Sequence, residues 1–291
     1  MAEEYIAVDW GSTPLRAWHI RSGEFVNTLA LPCGVTRMGQ DTAEEIFQRH
    51  LAPWRGNDTI PVVMAGMIGS ESGWLPVPYL PCPATLEAPG EQRCAVAEDV
   101  WIVPGLKSAR HGVYNVMRGE ETQLLGAYEL APASCYVMPG THCKWVPVAE
   151  RQVADFDTVM TGELHHLLLT HSLVGQSLPV QKEDEQAFHR GLETGLEAPS
   201  VLPRLFETLA AWLLGALARD SVSDYLSGLL IGAEVAAQSA QLRPESVVVV
   251  GSETLVARYL TAFSLAGIAA SVCDGELAFV RGIGRIMDAG K

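Results

Sequence analysis

Apolar residues in the first third of the chain fall into runs of strand length. Tyr5-Ile6-Ala7-Val8 predicts a buried strand that ends in Asp9-Trp10-Gly11-Ser12-Thr13. Leu15 to Ile20 and Glu24 to Ala30 predict two more strands, divided by Ser22-Gly23, so the opening reads as an antiparallel meander. Thr42, with Glu45 three residues on, predicts a capping box and a helix to about Leu51. Pro61 to Ala65 predicts a strand entering the Gly66-Met67-Ile68-Gly69-Ser70 turn, and the five prolines between 74 and 95 exclude a long element. A strand near Val100 to Val103 and a helix from about Glu120 to Glu129 close this half.

Near residue 130 the pattern restarts. Cys135 to Met138 predicts a strand that ends in Pro139-Gly140-Thr141-His142-Cys143-Lys144, followed by strands at Trp145 to Ala149 and Val153 to Asp157. Helical periodicity then runs over about 161–171, 183–195, 202–218 and 222–240. The all-valine run Val247 to Val250 predicts a strand ending at Gly251-Ser252. A helix over about 253–264, a strand near 269–272 and a helix over about 275–288 complete the chain. The prediction is an α/β protein of two domains, 1–129 and 130–291, joined without a low-complexity tether, with the last helix packing back near the hinge.

A length of 291 residues permits this division, and 48% hydrophobic against 19% charged residues is enough to bury a sizeable core. The net charge of −14 repels phosphate polymers and anionic lipid, so neither nucleic acid nor a membrane surface is an expected partner. An anionic small substrate would need a locally positive pocket. Six cysteines without a C-x-x-C pair suggest neither a disulfide framework nor a cysteine-type zinc site. The acidic start Met1-Ala2-Glu3-Glu4 is unlike a signal peptide, and no apolar run reaches a membrane span. A cytoplasmic protein is expected; oligomeric state is left open, a homodimer included.

Chemistry concentrates in three strand-to-turn junctions that place Gly beside a hydroxyl: Gly11-Ser12-Thr13, Gly140-Thr141 and Gly251-Ser252. Glycine lets the backbone approach an oxyanion, and adjacent N–H groups and hydroxyls donate to phosphate. Any one is an ordinary turn, but two stand in duplicated strand–turn–strand openings. Asp9, at the end of the first strand, adds a ligand for hydrated Mg²⁺.

These motifs resemble the actin/hexokinase/Hsp70-type ATPase superfamily, and the chain is more closely similar to the 2-dehydro-3-deoxygalactonokinase family. The resemblance rests on Ile6-Ala7-Val8-Asp9-Trp10-Gly11-Ser12, Ala65-Gly66-Met67-Ile68-Gly69-Ser70, Met117-Arg118-Gly119-Glu120-Glu121-Thr122-Gln123, Pro139-Gly140-Thr141-His142-Cys143-Lys144-Trp145, Met160-Thr161-Gly162-Glu163 and Leu226-Ser227-Gly228. It departs at Ser12-Thr13-Pro14, where superfamily hairpins often read Gly-Thr-Ser; Pro14 removes an N–H donor. The resemblance implies two ribonuclease-H-like domains with an ATP cleft between them, and ATP-dependent phosphorylation of the terminal hydroxyl of a six-carbon 2-keto-3-deoxy sugar acid in galactonate breakdown.

On that reading the catalytic candidates are Glu120, then Glu121, as base for the sugar hydroxyl, and Asp9 as ligand of Mg²⁺ water. A catalytic carboxylate of hexokinase-like relatives begins the corresponding helix, although carboxylates there also suit the helix dipole. Gly11, Ser12, Thr13, Gly140, Thr141, Lys144, Gly251 and Ser252 are the nucleotide candidates. Gly66, Arg16 and Arg118 are the substrate candidates, since a guanidinium fork matches a carboxylate. His165, His166 and His171 do not share one helix face as metal ligands would, and read as structural. Trp10, Trp18, Trp74 and Trp145 read as packing. The competing readings are a kinase for another small sugar acid or amino sugar, and a non-catalytic nucleotide-binding regulator. The regulator would be expected to lack Asp9 and Glu120. A Rossmann dehydrogenase is excluded because no G-x-G-x-x-G follows a strand.

Overall fold

The computed structural model describes residues 3–289 except 58, 59, 111 and 199. The chain forms two compact units. Unit 1 takes in the chain as far as Pro132, then Val148–Phe156 and the segment from Cys273 onward; unit 2 is Ala133–Pro147 and Asp157–Val272.

Unit 1 opens with the meander β1 (Glu4–Trp10), β2 (Leu15–Arg21) and β3 (Glu24–Leu31), followed by α1 (Ala43–His50) and β4 (Val62–Ala65). The short β5 (Leu80–Pro81), β6 (Ala84–Thr85) and α2 (Ala88–Glu91) occupy the proline-rich stretch. Then come β7 (Cys94–Ala97), β8 (Val100–Ile102), the hairpin β9 (Leu106–Arg110) and β10 (Val113–Met117), and α3 (Glu120–Leu130). The main sheet has the order β3-β2-β1-β4-β8-β7, antiparallel through the meander and parallel from β1 to β4 to β8. β1 and β4 are buried over most of their length, which fits their near-continuous apolar runs. The capping box at α1 forms as its sequence indicates: Thr42 Oγ1 accepts the Glu45 N–H at 3.2 Å, and the Glu45 carboxylate accepts the Thr42 N–H at 2.8 Å.

Unit 2 repeats the plan. β11 (Cys135–Met138) and β12 (Cys143–Pro147) are followed by β13 (Gln152–Val153), which belongs to unit 1, and by β14 (Asp157–Val159). Next come the helices α4 (Thr161–His171), α5 (Glu185–Glu197), α6 (Val201–Leu213) and α7 (Val222–Leu242). β15 (Val247–Gly251), α8 (Glu253–Leu265), β16 (Ala270–Asp274) and α9 (Gly275–Ala289) complete the chain, with α9 assigned to unit 1. The sheet order β14-β12-β11-β15-β16 again joins an antiparallel meander to a parallel neighbour, β11 to β15. α5 and α7 pack closely enough that a Cβ on Gly191, Gly195, Gly228 or Gly232 would stand within 2.5 Å of a carbonyl oxygen of the facing helix.

Three elements differ from the periodicity reading. The strand expected over 153–157 is split between β13, paired with β6, and β14, paired with β12. Asp155 separates them because its carboxylate accepts the Ser108 hydroxyl and the Phe156 N–H, a local turn rather than a ladder. The helix expected to 218 stops at Leu213, and Gly215 follows at φ +77°. The hairpin β9–β10 was not visible in the pattern. Nor is the division a single cut at 129/130: the 148–156 strap joins unit 1 through β13, and Arg151 pairs with Glu87 and with Glu129, the latter at 2.8 Å.

Candidate functional site

In unit 1 the ends of β1 and β4 and the start of α3 converge. Asp9 lies opposite Ala65 on β4 and opposite Arg16 on β2. Gly66, at φ +97°, passes so close to β1 that a Cβ would stand 2.8 Å from the Trp10 carbonyl oxygen. Gly119, at φ +105°, faces Gly66 closely enough that its Cβ would lie 3.2 Å from the Gly66 Cα. Neither position suits an L side chain, so both glycines are required to bring the Asp9 strand end and the α3 start together. The Gly11–Pro14 turn is closed by Gly11 N–H on the Pro14 carbonyl at 3.0 Å. It is held from outside by Gly34, Val35 and Thr36, whose N–H groups donate to Thr13, Gly11 and Ser12.

The acids at this junction differ in environment. Burial pushes the Asp9 carboxyl up to about 6; the Arg16 guanidinium opposes the rise, while Glu120 and Glu276 add to it. Glu121 is buried, and its carboxylate accepts the Gly119 N–H at 2.7 Å and the Thr122 hydroxyl at 3.1 Å. Burial, with Glu120 alongside, drives it to about 8, so it is mostly protonated at neutral pH. Glu120 is only half-buried and accepts the Arg118 N–H at 2.9 Å. A proton acceptor must be reachable by its substrate, and of the two neighbours Glu120 is the more exposed.

For a divalent cation, the chain offers Asp9 beside a Gly-hydroxyl turn. No group of three His, Cys, Asp or Glu suited to a metal occurs among the described residues. Mg²⁺ carried by a nucleotide keeps waters and phosphate oxygens and needs only one or two carboxylates, so this donor set fits it.

In unit 2 the ends of β11 and β15 lie side by side, close enough that a Cβ on Gly251 would stand 3.8 Å from Pro139 Cδ, which groups the Gly140-Thr141 and Gly251-Ser252 turns. A Cβ on Gly140 would meet nothing within 4 Å, leaving open space at the backbone. The first turn of α4 packs beneath: the Glu163 N–H donates to the Thr141 carbonyl at 2.9 Å, and a Cβ on Gly162 would stand 2.4 Å from the Gly140 oxygen. His142 and Glu163 pair at 2.5 Å. Ser252 occupies the N-cap of α8. Glu234, buried on α7, ties these elements together by accepting Trp145 Nε1–H at 2.6 Å, the Tyr259 hydroxyl at 2.7 Å and the Thr161 hydroxyl. Burial raises its pKa, and these hydrogen bonds oppose the rise.

The candidates thus fall into two groups. Asp9, Gly11, Ser12, Thr13, Gly66, Arg118, Glu120 and Glu121 gather in unit 1, and Gly140, Thr141, Gly251 and Ser252 in unit 2. Lys144 does not extend into solvent beside Thr141. It is buried on β12 and donates to the Thr158 hydroxyl at 3.2 Å. Arg16 lines a 520 Å³ cavity whose wall also carries Trp18, Thr28 and the acidic residues Asp274 and Glu276. Arg118 lies over the Tyr79 ring, 4.0 Å from its centroid, and Nη2 donates to the Val77 carbonyl at 2.8 Å. Sequence reasoning missed Glu276, which a distant helix supplies. It also missed Glu234, although a lone carboxylate within the apolar 226–235 run was a usable signal.

The sequence profile of the 2-keto-3-deoxy-galactonokinase family matches residues 9–286. The chain is 48% identical over 290 residues to the 2-dehydro-3-deoxygalactonokinase of Escherichia coli (strain K12), covering 99% of both. It is 33% identical to a probable 2-dehydro-3-deoxygalactonokinase of Rhizobium meliloti (strain 1021), covering 96% of this chain and 95% of that one. Among solved structures, a Sinorhizobium meliloti protein described as a 2-dehydro-3-deoxygalactonokinase superposes with a TM-score of 0.91 at 32% identity, over 98% of each chain. The activator of the 2-hydroxyisocaproyl-CoA dehydratase from Clostridium difficile, solved with bound ADPNP, superposes with a TM-score of 0.55 at 11% identity. That likeness concerns the fold alone and covers 99% of this chain and 97% of the other.

Proposed function

The chain belongs to the 2-keto-3-deoxy-galactonokinase family, and from that premise we propose that Glu120 and Asp9 serve phosphoryl transfer from ATP to the 6-hydroxyl of 2-dehydro-3-deoxygalactonate. The 48% identity over the full chain to a kinase of this name carries the activity. The convergence of Asp9, Gly66, Gly119 and Glu120 at one junction supports the assignment of roles.

Phosphoryl transfer asks a protein mainly for positioning and charge neutralisation. Glu120 accepts the proton of the sugar hydroxyl, late enough in the reaction that an ordinary carboxylate suffices. Asp9 is the residue that would hold Mg²⁺ through its waters, and the ion when bound neutralises charge on the transferred phosphoryl group. Each Gly-hydroxyl turn, Gly11-Ser12-Thr13 in unit 1 and Gly140-Thr141 and Gly251-Ser252 in unit 2, offers N–H groups and hydroxyls suited to phosphate. Glu121 holds the α3 start in place through Gly119 and Thr122.

A coupled ADP-release assay over a panel of 2-keto-3-deoxy sugar acids tests the activity. Turnover should be highest with 2-dehydro-3-deoxygalactonate and should need both ATP and Mg²⁺. Preference for a different sugar acid would reassign the substrate, and no turnover on any of them would overturn the reading.

A further inference from the structure

We propose that Arg118 and Ser70 form the subsite for the keto-acid end of the substrate, on the Gly66–Ser70 loop and apart from Arg16. The proposal rests on the kinase reading above and identifies which positive group recognises the acid.

Arg118 follows β10 directly, and its guanidinium is fixed by the Tyr79 ring on one face and the Val77 carbonyl on Nη2. Its Nε and Nη1 are buried and have no hydrogen-bond partner among the described residues. A buried charged donor left without an acceptor is costly, and of the acceptors that would satisfy it an anion compensates its charge as well. Room has been made for the guanidinium at one particular place: a Cβ on Gly69 would stand 2.8 Å from Nη1. The next residue carries a second orphan, since Ser70 Oγ is also buried without a partner. Two cationic nitrogens and a hydroxyl therefore lack acceptors around one tight turn, in which the Gly69 and Ser70 N–H groups are already used on the Gly66 and Met67 carbonyls.

The ligand that satisfies them has negative charge and several acceptor oxygens close together. A 2-keto carboxylate has these, with carboxylate and keto oxygens on adjacent carbons, whereas a neutral sugar lacks the charge. Against a net charge of −14, such an anion needs local compensation. Arg16 is the poorer candidate because its charge already acts on Asp9 and it shares a cavity wall with the acidic Asp274 and Glu276. Arg118 also stands two residues before Glu120, at the junction between β10 and α3. The orphan groups are shielded from solvent, so on this proposal the Gly66–Ser70 loop must move for the acid to reach them.

The test compares kcat/KM for 2-dehydro-3-deoxygalactonate with that for its methyl ester, which keeps the keto group and the 6-hydroxyl but lacks the charge. For Arg118→Ala the acid should lose about 10²-fold or more and the ester less than about threefold, so the preference for the acid collapses. Arg118→Lys should recover only part of it, because an ammonium does not reproduce the planar fork. Ser70→Ala should raise KM for the acid roughly three- to tenfold with kcat little changed. Arg16→Gln should keep the preference for the acid over the ester. Thermal melts accompany each variant. If Arg118→Ala does not fold, Ser70→Ala and Gly69→Ala, whose methyl group displaces Nη1, decide the matter by the same ratio. Equal losses on acid and ester would reduce these residues to structural roles and overturn the proposal. Wild-type protein inactive on every 2-keto-3-deoxy acid would instead overturn the kinase reading beneath it.

Discussion

Glu120 and Glu121 are consecutive yet chemically distinct, because successive residues of a helix point about 100° apart and only one of the two turns into the core. Glu121, mostly protonated near neutrality and bonded to Gly119 and Thr122, is held out of use as a proton acceptor there, whereas Glu120 is only half-buried. Glu120→Gln should therefore lower kcat by roughly 10²–10⁴-fold with little change in the KM for ATP, and Glu121→Gln should retain most of the activity. Steady-state kinetics of the two variants check this, and the opposite pattern would transfer the role of base to Glu121. Asp9 supplies a pH signature. It ionises as pH rises through about 6, so kcat/KM for the nucleotide should climb along a limb centred near there. Arg16 favours the ionised form, so Arg16→Gln should move that limb to higher pH, a shift read from the full pH–rate profile.

The elements that position the Gly140 and Gly251 turns are fixed by contacts more than by propensity. Gly140 has open space where a Cβ would sit, whereas Gly162 beneath it has none. Gly140→Val should leave the melting temperature unchanged and raise the KM for ATP roughly tenfold or more, because the added side chain fills the approach to the backbone donors. Unchanged ATP kinetics in the folded variant would remove this turn from the site. Glu234 joins β12, α4 and α8 to α7 through Trp145, Thr161 and Tyr259. Replacing it by Leu leaves three donors without their shared acceptor and should cost about 3–5 kcal/mol in chemical denaturation.

Across the whole molecule, the most consequential long-range event is the return of the C-terminal helix. α9 belongs to unit 1 and packs on α3 so tightly that a Cβ on Gly126 would overlap the Ala278 carbonyl, and one on Gly282 the Thr122 carbonyl. It buries Phe279, Ile283 and Ile286 and places Glu276 in the field felt by Asp9. At about 1.5–3 kcal/mol for each large side chain, those three alone rival the ordinary stability margin of about 5–15 kcal/mol. Ending the chain at Asp274 should therefore abolish activity and make the first 132 residues protease-sensitive while unit 2 retains a thermal transition. Limited proteolysis and circular dichroism measure both. A truncated protein with a native melt would show that α9 is dispensable.

What could be read from the sequence was what short spans decide. The meander of residues 5–30, the Thr42 capping box and the duplicated strand–turn–strand openings at Gly11 and Gly140 each depend on residues within a few positions of one another, and local sterics and hydrogen bonding act over that range. Tertiary structure decided the questions of environment. It buried Glu121 and left Glu120 accessible, enclosed Lys144, sent the 148–156 strap and α9 to unit 1, and left two nitrogens of Arg118 without acceptors beside Gly69. Burial and electrostatic field are set by partners far away in the chain, and no periodicity within a segment records which partners those will be.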